Sequence, residues 1–152
     1  MNAVSEAEIA AMLVPFELDG RTVSARAGET LIQVADREGV AIPRLCYREG
    51  MEEVGNCRAC VVEIDGERVL APSCCRVPTA GMKVSTRSDR ALKSQKLVLE
   101  LLLSDMPEKA YTRHSELDQW AQALDVRKPR FPARPPFETD LSHPAMAVHL
   151  DA

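Results

Sequence analysis

The sequence predicts an α+β fold: a small mixed sheet with one helix packed across it, then a helical extension and an extended tail. Three observations carry that prediction. "PFELDGRTVSARAG" and "VVEIDGERVLAP" each set an Asp-Gly pair between apolar or alternating runs, a strong short-range hairpin signal. Between them, "TLIQVADREG" places Leu31, Val34 and Ala35 on one helical face. Composition then changes near residue 105: all five cysteines lie between 46 and 75, whereas six of the ten prolines lie at 107 or beyond.

Each element follows from its residues. At the N-terminus Ser5, with Glu8 three residues later, reads as the capping box of a short helical arm over 1–13. The first hairpin turns at Asp19-Gly20. Thr30 is positioned to cap the next helix with Gln33 as its box partner, and Gly39 stands where a helix ends in a left-handed residue. "VAIPRLCY" leads into a loop from Cys46 to Cys60; the second hairpin turns at Asp65-Gly66; "MKVST" is one more strand. Hairpin, helix, loop, hairpin and strand make a compact α+β unit over 14–87.

The helical extension, 88–125, opens with "SDRALKSQKLVLELLLS", which Ser88 or Thr86 can cap. Ala91, Leu92, Val98, Leu99, Leu102 and Leu103 share one face. Leu97 and Leu101 fall outside it, either as ordinary surface leucines or as contacts to a second surface. "HSELDQWAQALDV" is a second short helix, capped by Ser115, with Leu117, Trp120, Ala121 and Leu124 on one side. From 126 to 152 the chain is too proline-rich for a packed element and is expected to run extended along a partner or stay disordered.

Composition excludes several functions. A net charge of −4 with scattered basic residues leaves no electrostatic footprint for nucleic acid. "MNAVSEAEIAAMLVP" is acidic and has no signal-peptide layout, and "KLVLELLLS", interrupted by Glu100, falls far short of the roughly 20 apolar residues a membrane span needs. A cytoplasmic location is therefore expected, where thiols stay reduced and clustered cysteines favour metal over disulfides. There is no catalytic triad, no paired catalytic carboxylates, no P-loop and no G-x-G-x-x-G, so no active site is expected within the chain. His114, His143 and His149 have no neighbouring ligand residues and read as structural or surface groups.

The chemistry lies in the cysteines, spaced C46-x10-C57-x2-C60-x13-C74 with Cys75 adjacent. One C-x2-C pair flanked by single cysteines lacks the two knuckles of structural zinc. A redox-active C-x-x-C would open a helix, but "GNCRACVVEI" opens a strand. An iron–sulfur cluster suits the spacing best, with structural zinc in an interaction module as the rival. Gly55 allows the positive φ and close approach that let loop N–H groups point inward. Arg44, Arg48, Arg58 and Arg76 flank the cysteines and as a group would offset cluster charge.

"GETLIQVADREGVAIPRLCY", "GNCRACVVEIDGERVLAPSCCRVPTAGMKVST" and "LVLELLLSDMPE" together resemble the N-terminal [2Fe–2S] ferredoxin-like domain of the large iron–sulfur subunits related to respiratory complex I. That group includes diaphorase parts of NAD-reducing hydrogenases and alpha subunits of NAD-dependent formate dehydrogenases. The resemblance implies a β-grasp fold over 14–87 and one [2Fe–2S] cluster held by Cys46, Cys57, Cys60 and Cys74. Cys75 is left over, expected as a small, buried, unreactive residue. Complex I-type subunits continue into a [4Fe–4S] site of one histidine and three cysteines; no cysteine follows Cys75, so no such cluster is expected here. "FPARP" and "LSHPAMAVHLDA" are more similar to formate dehydrogenase alpha subunits. That similarity implies an electron relay between a molybdopterin catalytic domain and a flavin subunit handling NAD.

Overall fold

The computed structural model describes residues 13–106, 115–133, 135 and 140–148. The helical arm expected before Val14, with Ser5 and Glu8, lies outside them, as do His114 and His149. The chain divides into two compact units, the first ending at Gln95 and the second beginning at Lys96.

The first unit is built on a five-stranded sheet. β1 (Val14–Leu18) and β2 (Arg21–Ala25) pair antiparallel, with Leu18 opposite Arg21, so the loop is the two residues Asp19-Gly20. Both have positive φ, 49° and 78°, as a primed turn requires. Asp19 also accepts hydrogen bonds from the Thr86 N–H (2.7 Å) and hydroxyl (2.6 Å), tying the hairpin to the far end of the unit. β3 (Val61–Ile64), β4 (Ala71–Pro72) and β5 (Lys83–Ser85) complete the sheet in the order β2-β1-β5-β3-β4. β5 runs parallel to β1 and antiparallel to β3. This is the α+β mixed sheet the sequence predicts.

α1 (Leu31–Arg37) begins where expected, with the Gln33 side chain accepting the Thr30 N–H at 2.8 Å. It ends in a Schellman motif: Val40 N–H bonds Ala35 O and Gly39 N–H bonds Asp36 O, Gly39 having φ 71°. Its buried Leu31, Ile32, Val34 and Ala35 join Phe16, Leu18, Val23, Val62, Ile64 and Val84 in the core. Cys60 and Cys74 belong to that same core.

The second hairpin is wider than its Asp65-Gly66 signal suggests. Val61 and Val62 pair with Pro72 and Ala71, while Glu63 and Ile64 are the residues paired with β5. The chain turns at Asp65-Gly66 through the Glu67 N–H to Ile64 O bond, but residues 67–70 then bulge away. Arg90 holds the bulge, bonding Glu63 Oε1 (2.7 Å) and Arg68 O (2.8 Å).

α2 (Asp89–Asp105) is capped by Ser88, whose hydroxyl accepts the Ala91 N–H at 3.1 Å; Thr86 is committed to Asp19 instead. Within the first unit, Ala91 and Gln95 of α2 are buried, and the Gln95 amide donates to Val61 O (2.9 Å) and Thr86 O (3.3 Å).

In the second unit, Leu99 is fully buried whereas Leu97 and Leu101 are exposed. α3 (Glu116–Ala123) has the expected Ser115 cap and buries Leu117 and Ala121. It closes in a second Schellman motif with Asp125 (φ 54°) in the glycine position. Arg130 forks onto Glu100 at 2.7 and 2.9 Å and holds that carboxyl below its usual range. The tail differs from the featureless extended segment expected: β6 (Asp140–His143) and β7 (Met146–Val148) form an antiparallel hairpin. Proline permits it because Pro144 sits in the two-residue turn, where a fixed φ helps and no ladder N–H is needed. His143 is exposed and accepts the Ala145 N–H at 3.2 Å, a turn contact in keeping with a surface role. No helix among the described residues is long and apolar enough to cross a membrane.

Candidate metal centre

Three segments bring the cysteines together. Cys46 follows α1 in a loop anchored on either side by Arg44 and Tyr47. Arg44 forks onto Asp36 of α1 (2.5 and 2.6 Å), bonds Ile42 O, and lies over the buried Tyr47 ring at 5.7 Å. Cys57 and Cys60 sit in the "GNCRAC" loop, and the strand β3 starts immediately after Cys60. Gly55 has φ 60°, and Arg58, unforeseen in the sequence, has φ 58°. Cys74 and Cys75 lie in the turn after β4, closed by Cys75 N–H to Pro72 O at 3.1 Å.

That turn is held from two sides by groups the sequence did not single out. Ser73, fully buried, bonds Cys60 O twice, through its N–H (3.1 Å) and its hydroxyl (2.8 Å). The first N–H groups of α1, which have no partner inside the helix, donate outward: Leu31 to Arg76 O (2.8 Å) and Ile32 to Ser73 O (3.1 Å). The serine in "APSCC" directly before Cys74 is the one sequence signal for this clamp.

All five thiols are free, and four form two close pairs. Cys46 Sγ lies 3.3 Å from Cys57 Sγ, and Cys60 Sγ lies 3.4 Å from Cys74 Sγ. The first pair is part-exposed, whereas Cys60 and Cys74 are both 1% exposed. The Cys57 N–H points to Cys46 Sγ at 3.5 Å, the inward donor expected of such a loop. Burial pushes the Cys57 thiol up, but backbone N–H groups, that of Ala59 foremost, outweigh it and hold it below its usual range. Burial, then the neighbouring Cys60, push the Cys74 thiol far above the ordinary value. A metal bound there must therefore displace a proton held by the core.

One expectation is corrected. Cys75 is exposed rather than buried, because its turn places it on the outer side of Cys74; its Sγ lies 3.5 Å from Cys74 Sγ. Of the flanking arginines, Arg44 pairs with Asp36 and Arg76 pairs with Glu67, the Nε of Arg76 being buried without a hydrogen-bond partner.

Two thiol pairs, the outer one with the Cys57 N–H pointing to Cys46 Sγ, fit the donor set of a two-iron cluster, in which Cys46 and Cys57 would hold one iron and Cys60 and Cys74 the other. A small mixed-sheet domain carrying such a set defines a cluster-binding class of protein. Residues 11–89 match the family described as "2Fe-2S iron-sulfur cluster binding domain", and the chain belongs to that family. It is similar to the NADP-reducing hydrogenase subunit HndD of Solidesulfovibrio fructosivorans, 38% identical over 125 residues, covering 76% of this chain and 21% of that protein. The mitochondrial NADH-ubiquinone oxidoreductase 78 kDa subunit of Candida albicans is 42% identical over 94 residues, covering 62% of this chain and 13% of that subunit. Among solved structures, a chain of an NAD+-reducing [NiFe]-hydrogenase in the H2-reduced state superposes with a TM-score of 0.73 at 28% identity, covering 86% of this chain and 57% of that one. The chain thus spans about a fifth or less of these curated relatives.

Proposed function

We propose that this chain is an electron-transfer module that carries one [2Fe–2S] cluster on Cys46, Cys57, Cys60 and Cys74 within an NAD-linked oxidoreductase complex. The observation that carries this reading is the division of those four thiols into two close pairs, 3.3 and 3.4 Å apart. When bound, such a cluster supplies one-electron chemistry at a potential set by hydrogen bonds and exposure. The residues here divide the remaining work. Ser73 and the start of α1 fix the inner pair in the core, away from water. The part-exposed Cys46 and Cys57 mark the side from which electrons enter or leave.

We assign the setting to a formate dehydrogenase-type assembly, with a molybdopterin catalytic domain and a flavin subunit handling NAD as partners. The segments "FPARP" and "LSHPAMAVHLDA" support that choice over a hydrogenase or NADH dehydrogenase. The hydrogenase and NADH dehydrogenase relatives above support the alternative setting.

The test is spectroscopic. The chain purified without oxygen should be red-brown and give an EPR signal on one-electron reduction. Cys74→Ser should remove or badly perturb that signal and Cys75→Ser should leave it. A colourless protein with one zinc per chain would instead establish a structural zinc module. In the assembled complex, reduction of the cluster by formate supports the setting; reduction by hydrogen alone transfers it to a hydrogenase.

A further inference from the structure

We propose that Cys75 donates a hydrogen bond to the sulfur of Cys74 and thereby raises the reduction potential of the bound cluster; this rests on the ligand set proposed above. The two sulfurs lie 3.5 Å apart, within hydrogen-bond reach, and in the metal-free chain either could be the donor. A cluster removes that ambiguity. As a ligand, Cys74 is a thiolate with no proton, so the S–H of Cys75 is the donor left.

The Cys75 sulfur is held in place although its residue is exposed. Its backbone is fixed by the bond to Pro72 O. Its Sγ packs so closely on Gly55 that a Cβ built there would lie 2.9 Å away. Gly55 therefore keeps clear the space in which the sulfur reaches Cys74. At the outer pair the Cys57 N–H points to Cys46 Sγ. Cys75 supplies the corresponding donor at the inner pair, where Ser73 and the start of α1 spend their polar groups on carbonyls. A hydrogen bond to a ligand sulfur withdraws electron density and favours the more negative reduced cluster, so the potential rises.

The experiment compares the full chain, loaded with cluster under anaerobic conditions, as wild type, Cys75→Ala and Cys75→Ser in EPR-monitored redox titrations at neutral pH. All three should assemble the same cluster. Cys75→Ala should shift the midpoint to a more negative potential, and Cys75→Ser, which keeps a hydroxyl donor, should recover most of that shift. Of the exchangeable protons coupled to the reduced cluster, one present in wild type should be missing in Cys75→Ala, while that of the Cys57 N–H remains in both. An unchanged midpoint in Cys75→Ala overturns the proposal. A shift that serine does not recover also overturns it, assigning the effect to packing against Gly55. Loss of the cluster in Cys75→Ala with retention in Cys74→Ala would make Cys75 a ligand. A wild-type chain that binds no cluster removes the proposed ligand set itself, a result distinct from the other three.

Discussion

Replacing Gly55 with alanine should loosen the cysteine loop to an extent that depends on Cys75. Gly55 has φ 60°, and an added Cβ would lie 2.9 Å from Cys75 Sγ. The left-handed backbone costs an L side chain about 1–2 kcal/mol, offset by about 0.4–1 kcal/mol because the unfolded chain loses freedom. The backbone part is therefore about 1 kcal/mol. Cys75 is exposed, so its sulfur can rotate away, at an off-rotamer cost of about 0.5–1.5 kcal/mol. Both costs are released when the loop opens, so they emerge as faster cluster loss. At about 1.4 kcal/mol per tenfold, Gly55→Ala should accelerate loss in urea roughly ten- to fiftyfold in wild type, but only about fivefold in a Cys75→Ala background. Visible absorbance of the four proteins under anaerobic conditions reads the rates. Equal acceleration in both backgrounds would refute the contact, and no acceleration in either would refute the backbone cost.

Leu99→Ala should cost about 2–5 kcal/mol in urea unfolding, because the side chain is fully buried, while Leu101→Ala, 47% exposed, should stay within about 0.5 kcal/mol. Asp19→Ala should destabilise by about 1–3 kcal/mol and Asp19→Asn by less, since asparagine tolerates φ 49° and keeps an acceptor for Thr86. Burial works to raise the Glu29 carboxyl from 4.5, but the Arg26 N–H and the Arg37 guanidinium outweigh it, so the folded value is lowered. Its stabilisation is therefore complete above the unfolded value and lost as pH falls through the folded one; Glu29→Gln should be less stable than wild type near neutrality, with the difference in Tm closing in acid. Residues 48–54 are all exposed, so cluster loading should slow cleavage at Glu49, Glu52 and Glu53 by a Glu-specific protease; equal rates with and without cluster would show that the loop is ordered independently.

What the sequence revealed depended on how local the cause was. Asp19-Gly20, Gly39 and Ser115 act within a few residues of themselves, and each does in the structure what its type predicts. The wide β3–β4 loop was not legible, because Glu63 and Ile64 pair with β5, twenty residues further along the chain. Gly55 was picked out as the residue permitting close approach, but its neighbour, the sulfur of Cys75, lies twenty residues away. Cys75 itself was misplaced because average burial of cysteine says nothing of which side of a turn a residue occupies. Proline content does not disclose the tail hairpin, because what matters is position: Pro144 occupies the turn. The acidic partners of Arg44 and Arg76, Asp36 and Glu67, were likewise not legible, because the fold and not the cysteine motif brings them together.

The two thiol pairs are supported by different physics, and this bears on how the site assembles. Cys60 and Cys74 are core residues, placed by the same packing that orders Leu31, Val62 and Val84, with Ser73 bridging them through Cys60 O. Their geometry comes with the fold. Burial that fixes the pair also disfavours the thiolate of Cys74, so metal must displace its proton at some cost in affinity. Cys46 and Cys57 are part-exposed and lie outside that core; burial raises the Cys57 thiol, but backbone N–H groups outweigh it and favour its thiolate. Cys57 is therefore held toward its thiolate in a part-exposed loop, whereas Cys74 is fixed in the core and held toward its thiol. A cluster held by both pairs would tie the exposed 48–54 segment, which lies between Cys46 and Cys57, to the folded sheet. On this account the cluster completes a fold that the chain's own packing brings as far as Cys60 and Cys74.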